Sequence, residues 1–167
     1  MVAELLSKVL AQYRLDVNGV HGIRHWGRVL ENGRRLAPLT GADLRVLELF
    51  AIFHDACRWN DTLDHDHGPR AAELVRSLRG EIDLDDEAFA LLVLACECHT
   101  RGPRFPCDET VLTCLDADRL DIPRVGMWVR KGLLFTAAAR DPRMIGWAGG
   151  RAWHGEIPVV CAEEWSR

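Results

Sequence analysis

Residues 44–55 read LRVLELFAIFHD. Leu44, Val46, Leu47, Leu49, Phe50, Ile52 and Phe53 leave almost no polar face, so a helix here must be buried nearly all round and stand at the centre of its domain. Thr40 and Asp43 lie in capping-box spacing, with Asp in place of the usual Glu, and predict its start. The helix ends in His54 and Asp55, and Leu47, Phe50 and Ala51 precede His54 by seven, four and three residues, on its own face. Two polar side chains at such a place need partners. A hydrogen-bonded pair or a helix-end cap would satisfy them as a lone instance, so the reading depends on what other helices supply.

Outward from this segment the apolar spacing is helical, and no stretch alternates cleanly over strand length, which predicts an all-α fold. A first helix is expected near Val2 to Tyr13, with Ala3, Leu6, Val9, Leu10 and Tyr13 on one side. A second should begin near Gly22, carry His25, Val29 and Leu36 along one face, and end before Pro38. A loop rich in Asn, Asp and His follows Asp55, and then a helix with Pro69 near its start runs to Leu78 before Gly80. The acidic run Asp83, Asp85, Asp86, Glu87 suits a helix start, continued from Phe89 to His99. Asp108 can cap a helix through Leu120. Leu133 to Ala139 could form one more, whereas the last stretch, with Gly146, Gly149, Gly150, Gly155 and Pro158 among Trp147, Trp153 and Trp165, has no usable period.

The 167 residues are 48 % hydrophobic, enough for one core, so a single domain over 1–167 is expected. A net charge of −4 offers no basic field for a nucleic-acid polymer, although a local cluster could hold a small anion. Glu4 and Lys8 interrupt the N-terminal apolar pattern and no later run is long enough to span a bilayer, so the expectation is a soluble, cytoplasmic protein with no membrane partner. Cys57, Cys96, Cys98, Cys107, Cys114 and Cys161 are scattered over helical positions and read as free thiols. Cys96, Cys98 and His99 make a poor zinc site, because the two cysteines of a CxC on a helix point apart. In the tract from Asp64 to His67, His65 reads as a solvated loop residue, and His154 has no evident partner.

Other helices do supply matching polar groups. Asp118 continues the stripe of Val111 and Leu115, whereas Asp116 points nearly opposite. His99 continues the stripe of Leu92, Ala95 and Cys96; His67 leads into that of Ala71, Leu74 and Leu78; His25 shares a face with Val29. Each histidine alone is more often a satisfied core residue than a ligand. Together, on the inward sides of different helices, they point to a cation. Neutral imidazole with carboxylate suits Mn²⁺, Fe²⁺, Co²⁺, Ni²⁺ or Zn²⁺ rather than the all-oxygen sites of Ca²⁺ or Mg²⁺.

HGIRHWGRV at 21–29, FHDACRWND at 53–61 and LDADRLD at 115–121 resemble, in that order, the H…HD…D signature of the HD superfamily of metal-dependent phosphohydrolases. The resemblance covers about residues 20–121, an HD-like core with a C-terminal extension. It implies that His25, His54, Asp55 and Asp118 bind a divalent metal, one ion or two. Members with two metals add histidines between the HD pair and the last aspartate, where His67 and His99 stand; we read these two as substrate-side acids or phosphate contacts of a one-metal enzyme. Many members have Lys four residues after the HD histidine, and here that position is Arg58, which keeps the charge but removes a tunable proton and suits a phosphate clamp. The paired acids that follow HD in alarmone hydrolases are absent, which speaks against that substrate. The implied activity is attack of metal-activated water on phosphorus in a nucleotide or other small phosphorylated metabolite, with Asp55 orienting or deprotonating the water and Arg58, His67 and His99 handling phosphate charge. Arg28 and Arg119 could extend the anion site or form surface salt bridges. The alternative is a non-catalytic HD-type module that binds a metal or nucleotide as a sensor.

Overall fold

A computed structural model describes residues 2–165. The central helix is the one the sequence marks: it spans Leu44–Phe53 and buries Val46, Leu47, Leu49, Phe50, Ala51, Ile52 and Phe53. In chain order the helices are α1 (Val2–Gln12), α2 (Ile23–Thr40), α3 (Leu44–Phe53), α4 (His67–Ser77), α5 (Asp86–Cys98), α6 (Glu109–Arg119), α7 (Pro142–Trp153) and α8 (Val159–Glu163). Short 3₁₀ turns occupy Arg79–Glu81, Ile122–Val125 and Lys131–Leu133, and there is no strand among the described residues. The fold is all-α. α1, α2, α4, α5 and α6 all contact α3, which leaves only Leu44, Arg45 and Glu48 at least partly open to solvent.

The helix starts follow local chemistry. Asp85 caps α5 by accepting from Ala88 N at 2.8 Å, and Asp108 caps α6 by accepting from Thr110 N at 2.7 Å. α3 departs from the expected capping box: Asp43 alone caps it, accepting from Arg45 N at 2.7 Å, while the Thr40 hydroxyl closes the end of α2 on Leu36 O. Gly41, at φ 76, turns the chain between them and assigns Thr40 to the preceding helix. Pro38 does not end α2 either. It removes one ladder donor in the last turn, and the helix stops at Gly41, whose N–H reaches Ala37 O at 2.9 Å. In α1 the buried residues are Leu5, Leu6 and Val9, and Ala3 faces solvent.

Two corrections concern the C-terminal part. Residues 133–139 form no α-helix, because the amides of Phe135 and Thr136 are drawn to the carboxylate of Asp116, each at 2.8 Å. Conversely, the stretch with no readable period contains α7 and α8. α7 opens with Asp141 capping Arg143 N at 2.8 Å and Pro142 in its first turn, signals present in the sequence. Its three glycines, Gly146, Gly149 and Gly150, lower helix propensity and blur the stripe of Met144, Ala148, Arg151 and Ala152 that it buries. α7 and α8 pack on α2. The guanidinium groups of Arg35 and Arg151 lie 4.4 and 4.5 Å from the Trp147 ring, and Arg151 pairs with Glu31 of α2. All six cysteines are free, and no described helix is long and apolar enough to cross a membrane.

The contact between α4 and α5 is set by a glycine. A Cβ on Gly68 would lie 2.8 Å from Cys96 O and 3.0 Å from Glu97 O, so the first turn of α4 rests on the last carbonyls of α5. This approach brings His67 beside His99. Gly68→Ala must push the two backbones apart, and we expect a loss of about 1–3 kcal/mol, typical of overpacking. Equilibrium denaturation would measure it, and an unchanged midpoint would show that the contact is slack.

Candidate metal centre and substrate cavity

Five polar side chains proposed from sequence, together with Asp118, meet at one place: His25 from the first turn of α2, His54 and Asp55 from the end of α3, His67 from the start of α4, and His99 just past α5. His25 Nε2 and His54 Nε2 are 3.0 Å apart. Asp55 Oδ2 lies 3.6 and 3.8 Å from these two nitrogens, and Asp118 Oδ1 lies 3.4 and 3.9 Å from them. A second pair, His67 Nε2 and His99 Nε2, is 2.8 Å apart, with Asp55 Oδ1 at 3.1 and 3.6 Å. Asp55 thus presents one oxygen to each pair. Apart from Asp118, these side chains are almost wholly buried.

The hydrogen bonds on the far side of each ring decide what the near side can do. His54 Nδ1 donates to Ala51 O at 3.1 Å, His99 Nδ1 to Cys96 O at 2.8 Å, and His67 Nδ1 to Asp64 O at 2.5 Å. A carbonyl can only accept, so the proton of each neutral ring is on Nδ1 and its Nε2 carries a lone pair. His25 Nδ1 donates to Asp121 Oδ2 at 2.7 Å, and Asp121 is gripped in turn by Arg28, Nε to Oδ1 at 2.7 Å and Nη2 to Oδ2 at 3.2 Å. Four imidazole lone pairs and two carboxylates therefore converge. Such a set repels itself unless a cation sits among it.

Protons are poor candidates for that cation at the first pair. Burial holds His54 neutral by lowering its pKa to about 3, against the opposing pull of Asp55 and Asp118. Burial would raise the carboxyl of Asp55, but His54 and the hydrogen bonds of His67 and His99 outweigh it and keep the group ionised well below the usual range. Asp118 is held low too, its desolvation overcome by His25 and His54. Burial would lower His99, but the hydrogen bond and charge of Asp55, with Asp118 and the Cys96 carbonyl, together push it upward. Imidazole Nε2 atoms beside ionised carboxylates make a donor set that fits divalent transition ions, and the triads His25, His54, Asp55 and Asp55, His67, His99 each bring three donor atoms within 4.8 Å of one another.

Asp55, Asp118, His67 and His99 also line a cavity of about 390 Å³. Arg58 enters it anchored from behind, Nη2 donating to Thr62 O at 2.9 Å and Nε to Asn60 O at 3.3 Å, while Nη1 lies 3.4 Å from Asp55 Oδ1 and 3.2 Å from His67 Nε2. It does not pair with Asp61 or Asp64, which bind His21 and Arg70. Arg124 is held in the same fashion, on Val20 O at 2.8 Å and Asp121 O at 3.2 Å, and lines the cavity. Arg119 lines it as well and bonds to Leu133 O. Arg28 is neither an anion contact nor a surface salt bridge: it is buried on Asp121 and positions His25.

Asp121, His21, Arg124 and Trp128 were not singled out from sequence. Asp121 stands three residues after Asp118 in LDADRLD, and His21 opens HGIRHWGRV, so two of the four were inside quoted motifs. The other two lie where the periodicity fades. Asp116 faces away from the cluster, accepting from Phe135 N, Thr136 N and Thr136 Oγ1, each at 2.8 Å. Asp118→Ala should therefore lose bound metal, whereas Asp116→Ala should keep it and lose about 3 kcal/mol of stability or more, with buried donors left unpaired. Elemental analysis beside thermal denaturation separates the two, and equal metal loss in both would overturn the assignment.

No protein-family model matches the sequence, and no curated protein matches it. Among solved structures, the chain is similar to the crystal structure of a predicted HD superfamily hydrolase from an uncultured Thermotogales bacterium, with a TM-score of 0.67 and 28 % identity over 88 % of this chain and 84 % of that one. The buried histidine–aspartate cluster fits the HD motif. Fold and cluster together support a metal-dependent hydrolase.

Proposed function

From the HD-superfamily fold and motif that this chain carries, we propose that it is a phosphohydrolase acting on a nucleotide or another small phosphorylated metabolite, with Mn²⁺ or a neighbouring transition ion as cofactor. The observation that carries the reading is the pairing of four imidazole lone pairs across Asp55, at the floor of a cavity faced by anchored arginines. His25, His54, Asp55 and Asp118 would hold one ion. His67 and His99, with Asp55 between the sites, fit a second ion as well as the role of substrate-side acids, because their Nε2 atoms face each other and share Asp55 Oδ1. The bound cations supply Lewis acidity toward water and toward a phosphoryl oxygen.

The side chains do the rest. Asp55 is ionised and faces the cavity, so it can orient the attacking water and take its proton as the new oxygen–phosphorus bond forms. The ester oxygen leaves with the bond electrons and is protonated from solvent. Arg58 and Arg124, each braced on backbone carbonyls, present their remaining guanidinium donors to phosphate oxygens without having to be ordered at the moment of reaction. No small-molecule chemistry at this site calls for a nucleic-acid polymer or a membrane.

Chelation should abolish turnover of a phosphoester panel, and Mn²⁺, Co²⁺ or Ni²⁺ should restore it; the melting temperature should fall with the metal and return with it. Full activity in protein shown to be metal-free would sink the proposal, and tight nucleotide binding with no turnover by the loaded protein would identify a sensor. Arg58→Ala should retain metal and lower kcat/KM by roughly 10²-fold, about 3 kcal/mol, with Arg58→Lys recovering only part, because a point charge cannot grip two oxygens. Kinetics within about threefold of the parent, at unchanged metal content, would remove Arg58 from the reaction.

A further inference from the structure

One wall of the metal cavity has a chemistry that phosphate does not explain. The chain after α6 turns at Gly126, at φ 77, and leads into Met127 and Trp128, which line the cavity with Leu133. All three are exposed, Trp128 at 78 % of its surface. A second cavity of about 310 Å³, floored by Gly146, Gly149 and Gly150 of α7, lies next door, and Trp128 and Val129 line both. Trp153 lines only the second, and it stacks on Trp128 with ring centroids 5.6 Å apart and planes within 12°. Trp153 thus lies alongside the Trp128 indole, which stays largely open to solvent and also lines the metal cavity. A flat group that stacks on the exposed indole extends an aromatic pair already in place.

We infer that Trp128 is the platform for a nucleobase, so that the phosphoester cleaved at this metal site is a nucleotide, its base lying on the indole and its phosphate among Arg58, Arg124 and the metal ligands. The inference rests on the phosphohydrolase reading above. A bare sugar phosphate would leave Met127, Trp128 and Leu133 in water, and would find for its hydroxyls, along a wall that continues through Ile122, Val129 and Leu134, chiefly the guanidinium of Arg130. The lining also lacks any Asn or Gln side chain, and Thr100 is its one neutral hydroxyl, so the edge of a base meets no fixed donor–acceptor pair. Recognition by the π face alone tolerates every base.

The test uses the Mn²⁺-loaded full chain with the four common nucleoside monophosphates and with ribose phosphate, which carries the same ester and no base. The nucleotides should exceed ribose phosphate in kcat/KM by roughly 10- to 100-fold, mainly through KM, and should differ among themselves by less than about fivefold. In Trp128→Ala that ratio should collapse towards one, and Trp128→Phe, which keeps a stacking face, should restore most of it. Equal use of ribose phosphate by the parent protein, or a ratio untouched in Trp128→Ala, would overturn the inference while leaving the phosphohydrolase reading intact. Absence of all turnover would instead sink that reading; calorimetric binding of adenosine monophosphate against ribose phosphate, in the parent and in Trp128→Ala, then decides the role of Trp128 by the same ratio.

Discussion

Asp55 has two carboxylate oxygens and serves a different pair of imidazoles with each, and the arrangement of the helices follows from that demand. The four rings and Asp118 come from five helices, and all are delivered at or near helix ends. This location has a physical use. The last carbonyls of a helix have no partner within it, and a histidine placed at the C-terminus can satisfy one with Nδ1–H while aiming Nε2 forward. α3 and α5 do the same thing: His54 bonds Ala51 O and His99 bonds Cys96 O, each three residues back. Helix termination and orientation of the donor are here one event, and α4 completes the second pair by resting Gly68 against the carbonyls of α5.

The same geometry explains what could be read from the chain and what could not. Burial of α3, the turn of Asp116 away from the cluster against that of Asp118 toward it, and the meeting of His25, His54, Asp55, His67 and His99 are consequences of 3.6-residue periodicity and of apolar stripes long enough to count. Asp121 escaped because it follows the end of α6, where helical phase no longer applies. Arg28 sat at helical spacing from His25, but whether it faced solvent or a buried carboxylate depended on a residue 93 positions away. α7 escaped because three glycines diluted a stripe whose start signals, Asp141 and Pro142, were plain. Residues 133–139 looked helical by composition, yet hydrogen bonds from Asp116 committed two of their amides elsewhere. The failures at Arg28 and at residues 133–139 are tertiary claims on local sequence, and that at α7 is a local one.

Charge around the cluster is arranged in layers. Asp121 is spent on His25 and is balanced by Arg28, so it adds no net charge to the site. Asp55 and Asp118 remain as the anions of the donor set, and cations held there would meet two negative charges with at least as many positive ones. Arg58, Arg119 and Arg124 face the same cavity, each anchored by a backbone carbonyl and therefore already paired on one side. A chain whose formal net charge is −4 thus still gathers several arginines around one concave surface.

The cavity wall and the metal cluster are also tied through a single helix. Residues two apart on a helix point about 200° from each other, and α6 uses Asp118 on one side and Asp116 on the other. Asp118 meets His25 and His54, while Asp116 collects the amides of Phe135 and Thr136 and the Thr136 hydroxyl. Between them Arg119 reaches Leu133 O with its guanidinium over the Phe135 ring at 4.4 Å. The segment that carries Met127, Trp128 and Leu133 leaves α6 at one end and is pinned back to it at the other. The Leu133 end of that apolar surface is consequently tied to the same helix turn that presents Asp118 to the metal ligands.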